Sequence, residues 1–273
     1  MTDYAYGWQR DLPDIRDLTL ESEKVTNIFK ATPTPKAVTN VDLRQWCSPI
    51  EDQKNLGSCT ANSGVGLLEY FEKKSFGKFT NASRLFLYKT TRNLMKKTGD
   101  TGAFLRTTMK AMVLFGIPPE DYFPYNVANF DIEPTAFHYA FANSFKSLVY
   151  YRLDPAGTSP VQILKNVKDK LSIGLPSMFG FTVYSSISNS AMIPFPSSTD
   201  TVRGGHAICC VGFSDTKTIG KYTGALLIRN SWGTTWGSEG GYGWLPYQYI
   251  LSGLACDFWS LVQASYIDSD LFN

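Results

Sequence analysis

The strongest constraint on how this chain folds is a set of four residues that must meet although the sequence holds them far apart. Gln53 and Cys59 share the stretch Gln53-Lys54-Asn55-Leu56-Gly57-Ser58-Cys59, His206 lies in Gly204-Gly205-His206-Ala207, and Asn230 opens Asn230-Ser231-Trp232-Gly233. A cysteine attacks a carbonyl at neutral pH when a neighbouring imidazole holds it as thiolate. The imidazole needs a third group to fix its tautomer, and an amide side chain such as Asn can do that. The oxyanion formed by the attack needs donors, for which the Gln53 side chain and the Cys59 backbone N–H are suited. Cys59 to His206 is 147 residues and His206 to Asn230 is 24. Only tertiary folding can assemble such a site.

A chain of 273 residues, 43% of them hydrophobic, can bury a substantial core in one or two domains. The formal net charge is +2 with acidic and basic residues intermixed, which gives no electrostatic case for nucleic acid or an anionic membrane surface. No stretch approaches the ~18–20 consecutive apolar residues of a membrane span. Met1 to Asp17 has no apolar signal core, so a cytoplasmic protein, or one exported by a non-standard route, is expected. Besides Cys59 the cysteines are Cys47, Cys209, Cys210 and Cys256. Cys209 and Cys210 are neighbours in an apolar run, so on a strand they face opposite sides and read as core. A dense disulfide framework is not expected, which fits a reducing compartment.

Residues 1–40 read as an extension. They include the Thr/Pro-rich strip Ala31-Thr32-Pro33-Thr34-Pro35-Lys36, an extended linker by composition. From Thr60 to Lys74, Ala61, Val65, Leu67, Leu68 and Phe71 recur at helical spacing. That helix starts at Cys59, where free N–H groups and a partial positive charge lower a thiol pKa. Further helices are expected at 83–97, 104–115, 134–143 and 161–171. After about residue 145 the pattern changes to short β-branched and aromatic runs, predicting strands at 147–152, 176–183, 206–213, 225–229 and 241–245. A helical half (about 41–145) followed by a β-rich half (about 146–273) predicts two subdomains with a cleft between them.

A lone cysteine in a Gly-Ser-Cys-Thr context is more often an ordinary buried residue; the Gln six residues upstream changes that reading. Gly57 suits a tight turn into the helix, where the backbone must approach a substrate. The choice of base is nearly forced, because the only other histidine, His138 in Ala136-Phe137-His138-Tyr139, has no partner motif and reads as structural. An Asn at this position alone is also suited to capping a turn. Trp232 two residues later argues for more, since an indole over an Asn–His contact excludes water and strengthens it.

With these stretches in hand, the chain resembles the papain family of cysteine peptidases from about Val41 onward. The matches are Gln-x5-Cys with Gly-Ser-Cys, then Gly-His-Ala, then Asn-Ser-Trp-Gly-x-x-Trp-Gly followed by Gly-Tyr. Each is weak alone; in this order they are specific. The resemblance implies an α+β papain-like fold, with a helical left subdomain and a β-barrel-like right subdomain flanking the active-site cleft. It implies catalysis by Cys59, His206, Asn230 and Gln53, and no cofactor or metal. Gly57, Ser58, Gly102, Gly205, Ala207 and Trp232 are expected to contact substrate, with Gly99-Asp100-Thr101-Gly102 as the loop that pairs with its backbone. A moderately apolar pocket from Phe104, Ala207 and residues near Ala255–Phe258 is expected to favour a hydrophobic residue second from the cleaved bond.

The departures are Leu56 where relatives often have a cysteine, Thr60 where an aromatic is usual, and a short N-terminal extension in place of a long pro-region. They suggest a bacterial or viral type. Residues 1–40 have two readings: a strap over the β-rich half, or a short pro-segment packing into the cleft. The expected partners are protein or peptide substrates, with no nucleic acid, no membrane, and a monomeric state. Competing functions are a catalytically silent papain-like binding protein, a transpeptidase or amide hydrolase using the same triad, and a transglutaminase-like enzyme; the last is disfavoured by Asn rather than Asp as third residue.

Overall fold

The computed structural model describes residues 4–30 and 37–264. The Thr/Pro strip at 31–36 lies outside them. In chain order the elements are β1 (Trp8–Gln9), α1 (Glu23–Phe29), β2 (Asn40–Asp42), α2 (Cys59–Phe76), α3 (Arg84–Leu94), β3 (Ala103–Phe104), α4 (Leu105–Leu114), α5 (Ala136–Ala142), β4 (Ser147–Arg152), α6 (Pro160–Ser172), β5 (Ser177–Tyr184), β6 (Val202–Ile219), β7 (Tyr222–Arg229), β8 (Tyr242–Pro246), α7 (Gln248–Leu251) and β9 (Ala255–Ala264). The fold is α+β: helices dominate the first half, and the second forms a seven-stranded sheet in the order β4-β9-β5-β6-β7-β8, with β2 also paired to β6. All of its strand pairs are antiparallel. Among the described residues no helix is long and apolar enough to cross a membrane.

The long helix α2 begins at Cys59, as its apolar spacing predicts, and ends at Gly77 in a left-handed cap. It is buried on nearly every face, because the sheet covers one side while α3 and α4 cover the other. Strand β6 is buried without a break from His206 to Phe213, with a register shift between Cys210 and Gly212. Cys209 turns its sulfur to the Ser63 carbonyl of α2, and Cys210 lies on the opposite side with its sulfur near Gly212 O. Both are core residues, and all five cysteines are free. The fully buried Arg229, last residue of β7, donates from Nη2 to Ser48 Oγ (3.0 Å) and Pro49 O (2.6 Å). Ser48 in turn donates to Glu69 of α2. This network fixes the end of β7 against the helical half one residue before Asn230.

The described part of the N-terminal segment meets different regions of the molecule along its length. Residues 4–9 enter the groove between the halves, where β1 pairs in parallel with β3 (Trp8 with Ala103, Gln9 with Phe104). Residues 10–29 cross the β-rich half: Leu18 O accepts from Arg152 N at 2.7 Å, Val25 of α1 is fully buried, and Phe29 packs edge-on against Tyr151.

Candidate active site

Cys59 stands at the first position of α2 with its sulfur buried. Backbone N–H groups of Cys59, Thr60 and Ala207 point at that sulfur, and so does the N–H of Gly7 from the N-terminal segment. The Ala207 contact carries β6 over the thiol, one residue along the strand from His206. His206 Nε2 donates to Asn230 Oδ1 at 2.8 Å, which leaves Nδ1 as the lone-pair nitrogen, buried and without a hydrogen-bond partner. Asn230 Oδ1 is itself held by the Ser231 N–H at 2.8 Å. Trp232 stacks on the imidazole with ring centroids 4.5 Å apart and planes 22° from parallel. The indole therefore roofs the His206–Asn230 contact.

Gln53 is oriented from both ends. Its Oε1 accepts from Ser231 Oγ at 2.6 Å, so its amide N–H₂ must face the other way. Nε2 donates to Leu56 O and to Ala5 O, both at 3.0 Å. The Ala5 carbonyl thus sits where the side-chain donor beside Cys59 points. Glycines make this approach possible. A Cβ on Gly7 would lie 1.8 Å from Gly57 O, and one on Gly102 would lie 2.2 Å from Gly7 O; Gly102 also holds φ +68°, a left-handed conformation that favours glycine. Gly205 presses on Trp8, and Tyr4 stacks on Trp232 at 4.3 Å.

The electrostatics differ from the expectation for a helix N-terminus. Burial pushes the Cys59 thiol up to about 11, outweighing the four N–H groups aimed at it. Burial also pulls His206 down to about 4, only partly opposed by Asn230. With the cleft filled, thiol and imidazole are both neutral. A helix N-terminus lowers a thiol pKa when solvent or a counter-charge can share the anion, and here Cys59 is fully buried.

The structure brings Cys59, His206, Asn230, Gln53, Gly57, Gly102, Gly205, Ala207 and Trp232 to one groove. Ser58 is at the groove, yet its hydroxyl is taken by Tyr125 (2.6 Å) and Asn62 (3.0 Å). Phe258 does not line a pocket: it stacks on Phe179 in the core at 4.6 Å. His138 is structural, accepting from Thr135 N–H at Nδ1 and meeting Tyr122 O through Nε2. Sequence reasoning missed four groups. Asp100 accepts from Gly57 N (3.0 Å) and Tyr88 OH (2.5 Å), and Tyr88 OH accepts from Gly102 N, so these two tie the glycine loop to the Cys59 loop. Ser231 orients Gln53; its place beside Asn230 was the available signal. Asp257, which accepts from the Trp8 indole, falls within the Ala255–Phe258 stretch expected to line a pocket, but that stretch reads as apolar and gives the carboxylate no role.

Fold and site together define a thiol hydrolase whose nucleophile rides on a helix of one half and whose base and orienting amide ride on the sheet of the other. A family model described as papain family cysteine protease matches residues 37–254, and the chain belongs to that family. It is a cysteine peptidase. Xylellain, a cysteine protease from Xylella fastidiosa, is 32% identical; the match covers 98% of each chain with a TM-score of 0.76. An uncharacterised peptidase C1-like protein of Acanthamoeba polyphaga mimivirus is 32% identical over 95% of this chain and 87% of its own length. Cathepsin K of Gallus gallus is 26% identical over 75% of this chain and 58% of its own length.

Proposed function

We propose that the protein hydrolyses peptide bonds with Cys59, His206, Asn230 and Gln53 as its catalytic set, and that residues 4–9 hold it closed until they are displaced. The observation that carries this reading is the Ala5 carbonyl, which takes the Gln53 amide N–H₂ while the Gly7 N–H approaches the Cys59 sulfur. A peptide already fills the place of a substrate.

Once the cleft opens, water and a substrate amide replace the segment. Cys59 passes its proton to His206 Nδ1, the nitrogen left free by the Asn230 bond, and the thiolate attacks the scissile carbonyl. The electron pair pushed onto oxygen is met by Gln53 Nε2 and the Cys59 N–H. Collapse expels the amine, which takes the His206 proton, and leaves a thioester. His206 then removes a proton from water as it attacks the thioester, releasing the acid and restoring the thiol. Asn230 keeps the imidazole plane, and Trp232 keeps water off that hydrogen bond.

Gly7→Leu tests the reading in the full-length chain, because a side chain there cannot coexist with Gly57 O. Fluorogenic peptide hydrolysis is expected to rise by at least about tenfold over wild type and to vanish in the Gly7→Leu/Cys59→Ala double variant. Activity that survives the loss of Cys59 would overturn the catalytic assignment. Activity unchanged by Gly7→Leu would remove the plug.

A further inference from the structure

The Gln53 amide nitrogen carries two N–H bonds, and only one of them is available for chemistry. One donates to Leu56 O at 3.0 Å; the other, which the Ala5 carbonyl occupies at 3.0 Å, is the one that meets a substrate oxygen once the segment has left. The two hydrogens of a planar amide keep a fixed angle, so the place of Leu56 O sets the direction of the working N–H. Leu56 O also accepts from Ser58 N at 2.7 Å, which holds it at the start of the helix that carries Cys59.

Leu56 O and the Gly57 N–H belong to one peptide unit. A trans peptide is planar and points these two groups in opposite directions, so whatever holds one end aims the other. Asp100 holds the Gly57 end, with both carboxylate oxygens 3.0 Å from Gly57 N. A Cβ on Gly57 would come within 2.9 Å of Asp100 Oδ1, so a bare backbone is what gives the carboxylate its room. Hydrogen bonds in series polarise one another, and a carboxylate on the N–H makes Leu56 O a stronger acceptor for Gln53. Asp100 is itself firmly mounted. Tyr88 OH donates to its Oδ1 at 2.5 Å and accepts from Gly102 N at 3.0 Å. The neighbouring Gly99 is gripped at both ends: its N–H donates to Asp131 Oδ2 at 2.9 Å, and its carbonyl accepts from Arg92 Nη1. The Arg92 guanidinium lies over the Tyr88 ring at 4.2 Å. None of these groups comes from residues 4–9, so the mount outlasts the plug.

Resting on the peptidase reading, we propose that Asp100 is a positioning residue for the oxyanion: through the Leu56–Gly57 peptide it aims the Gln53 N–H at the oxygen that gains charge when Cys59 attacks. Its own carboxylate is spent on Gly57 and Tyr88, so it acts through Gln53. The charge on that oxygen develops in the transition state and is absent from the bound substrate. Loss of Asp100 therefore lowers kcat and leaves KM in place.

The test uses the full-length Gly7→Leu protein and one fluorogenic peptide. Asp100 is an exposed residue, so replacing it empties no core. Asp100→Ala is expected to lower kcat about tenfold and to change KM by less than about twofold, a part of the ~10²–10³ that removal of an oxyanion donor costs. Asp100→Asn, whose Oδ1 still accepts from the Gly57 N–H, is expected to bring kcat back to within about threefold. With Gln53→Ala already in place, Asp100→Ala is expected to cost less than about twofold more, because its route to the oxyanion is gone. A raised KM with unchanged kcat, an Asn variant as slow as the Ala variant, or an undiminished loss in the Gln53→Ala background overturns the proposal. If Gly7→Leu cleaves no peptide, that result counts against the peptidase reading, and the relay is read by hydrogen exchange in the otherwise wild-type chain. The Gln53 side-chain amide is then expected to exchange about tenfold faster in Asp100→Ala at an unchanged thermal melt. An unchanged exchange rate would overturn the assignment.

Discussion

Two parts of the same N-terminal segment are held by different forces, and the difference says which part can leave. Residues 4–9 carry no charged side chain. They lie in the cleft through backbone contacts against glycines, the Ala5–Gln53 bond and the stacking of Tyr4 on Trp232. Residues 10–29 are pinned by buried ions and apolar plugs. Asp17 takes a two-pronged bond from Arg106 (2.7 and 2.6 Å), Asp11 accepts from Trp259 Nε1 (2.9 Å), and Val25 is sunk in the core. Lys170 lies 3.6 Å above the Phe29 ring. Stripping the second stretch away costs Asp257 the Asp11 N–H at 2.8 Å and Arg152 the Asp17 carboxylate; withdrawing the first costs Asp257 only the longer bond from the Trp8 indole at 3.2 Å. This division of forces is what the proposed plug on a fixed anchor requires.

Breaking the anchor gives the largest effect. Arg152 bonds Asp257 and Asp154 inside the β-rich half and lies 3.7 Å from Asp17. Arg152→Met leaves two buried carboxylates without their counter-ion, and urea unfolding is expected to show a loss of about 3–5 kcal/mol. A loss under about 1 kcal/mol would mean that the cluster contributes little to holding the segment.

The pH dependence sharpens the comparison by a smaller amount. Burial, and next the Asp257 charge, push the Asp11 carboxyl up to about 7, against the pull of Trp259 and Arg106. The docked segment therefore binds a proton at pH values where an undocked Asp11, titrating at ~4, has lost it. Docking strengthens as pH falls from about 7 toward 4 and weakens above 7. Peptide hydrolysis by the wild-type chain, divided by that of Gly7→Leu at each pH, is expected to rise a few-fold between pH 6 and 8. Asp11→Asn is expected to flatten that rise, and a rise that persists in the variant would place the titrating group elsewhere.

The same contrast explains what the sequence made legible. Cys59, His206 and Asn230 could be read because each sits in a local context that the chemistry requires: a helix start, a glycine-flanked strand entry, an aromatic roof. Strands β4 to β8 were legible from alternation and turn residues, although β6 runs longer at both ends than its apolar core suggested. Strand β9 was not, since Asp257 and Ser260 interrupt its apolar run and both are buried by partners distant in sequence. Pairing of β1 with β3 involves two residues on each side, too few for any periodicity. The fit of Trp8 between Gly180 and Gly205 depends on three segments meeting, and no single one announces it. The thiol is harder to read from sequence: the helix start predicts a lowered pKa, while burial by segments distant in sequence raises it.

The central claim is that residues 4–9 alone close a complete catalytic site. Its most direct measurement is the rate at which a peptidyl epoxide labels Cys59, followed by intact mass, in the full-length chain and in one lacking residues 1–9 but keeping Asp11, Asp17 and Val25. The account predicts labelling at least about tenfold faster in the shortened chain, with an unchanged thermal melt and no labelling of Cys59→Ala in either background. Equal labelling rates in the two chains would contradict it.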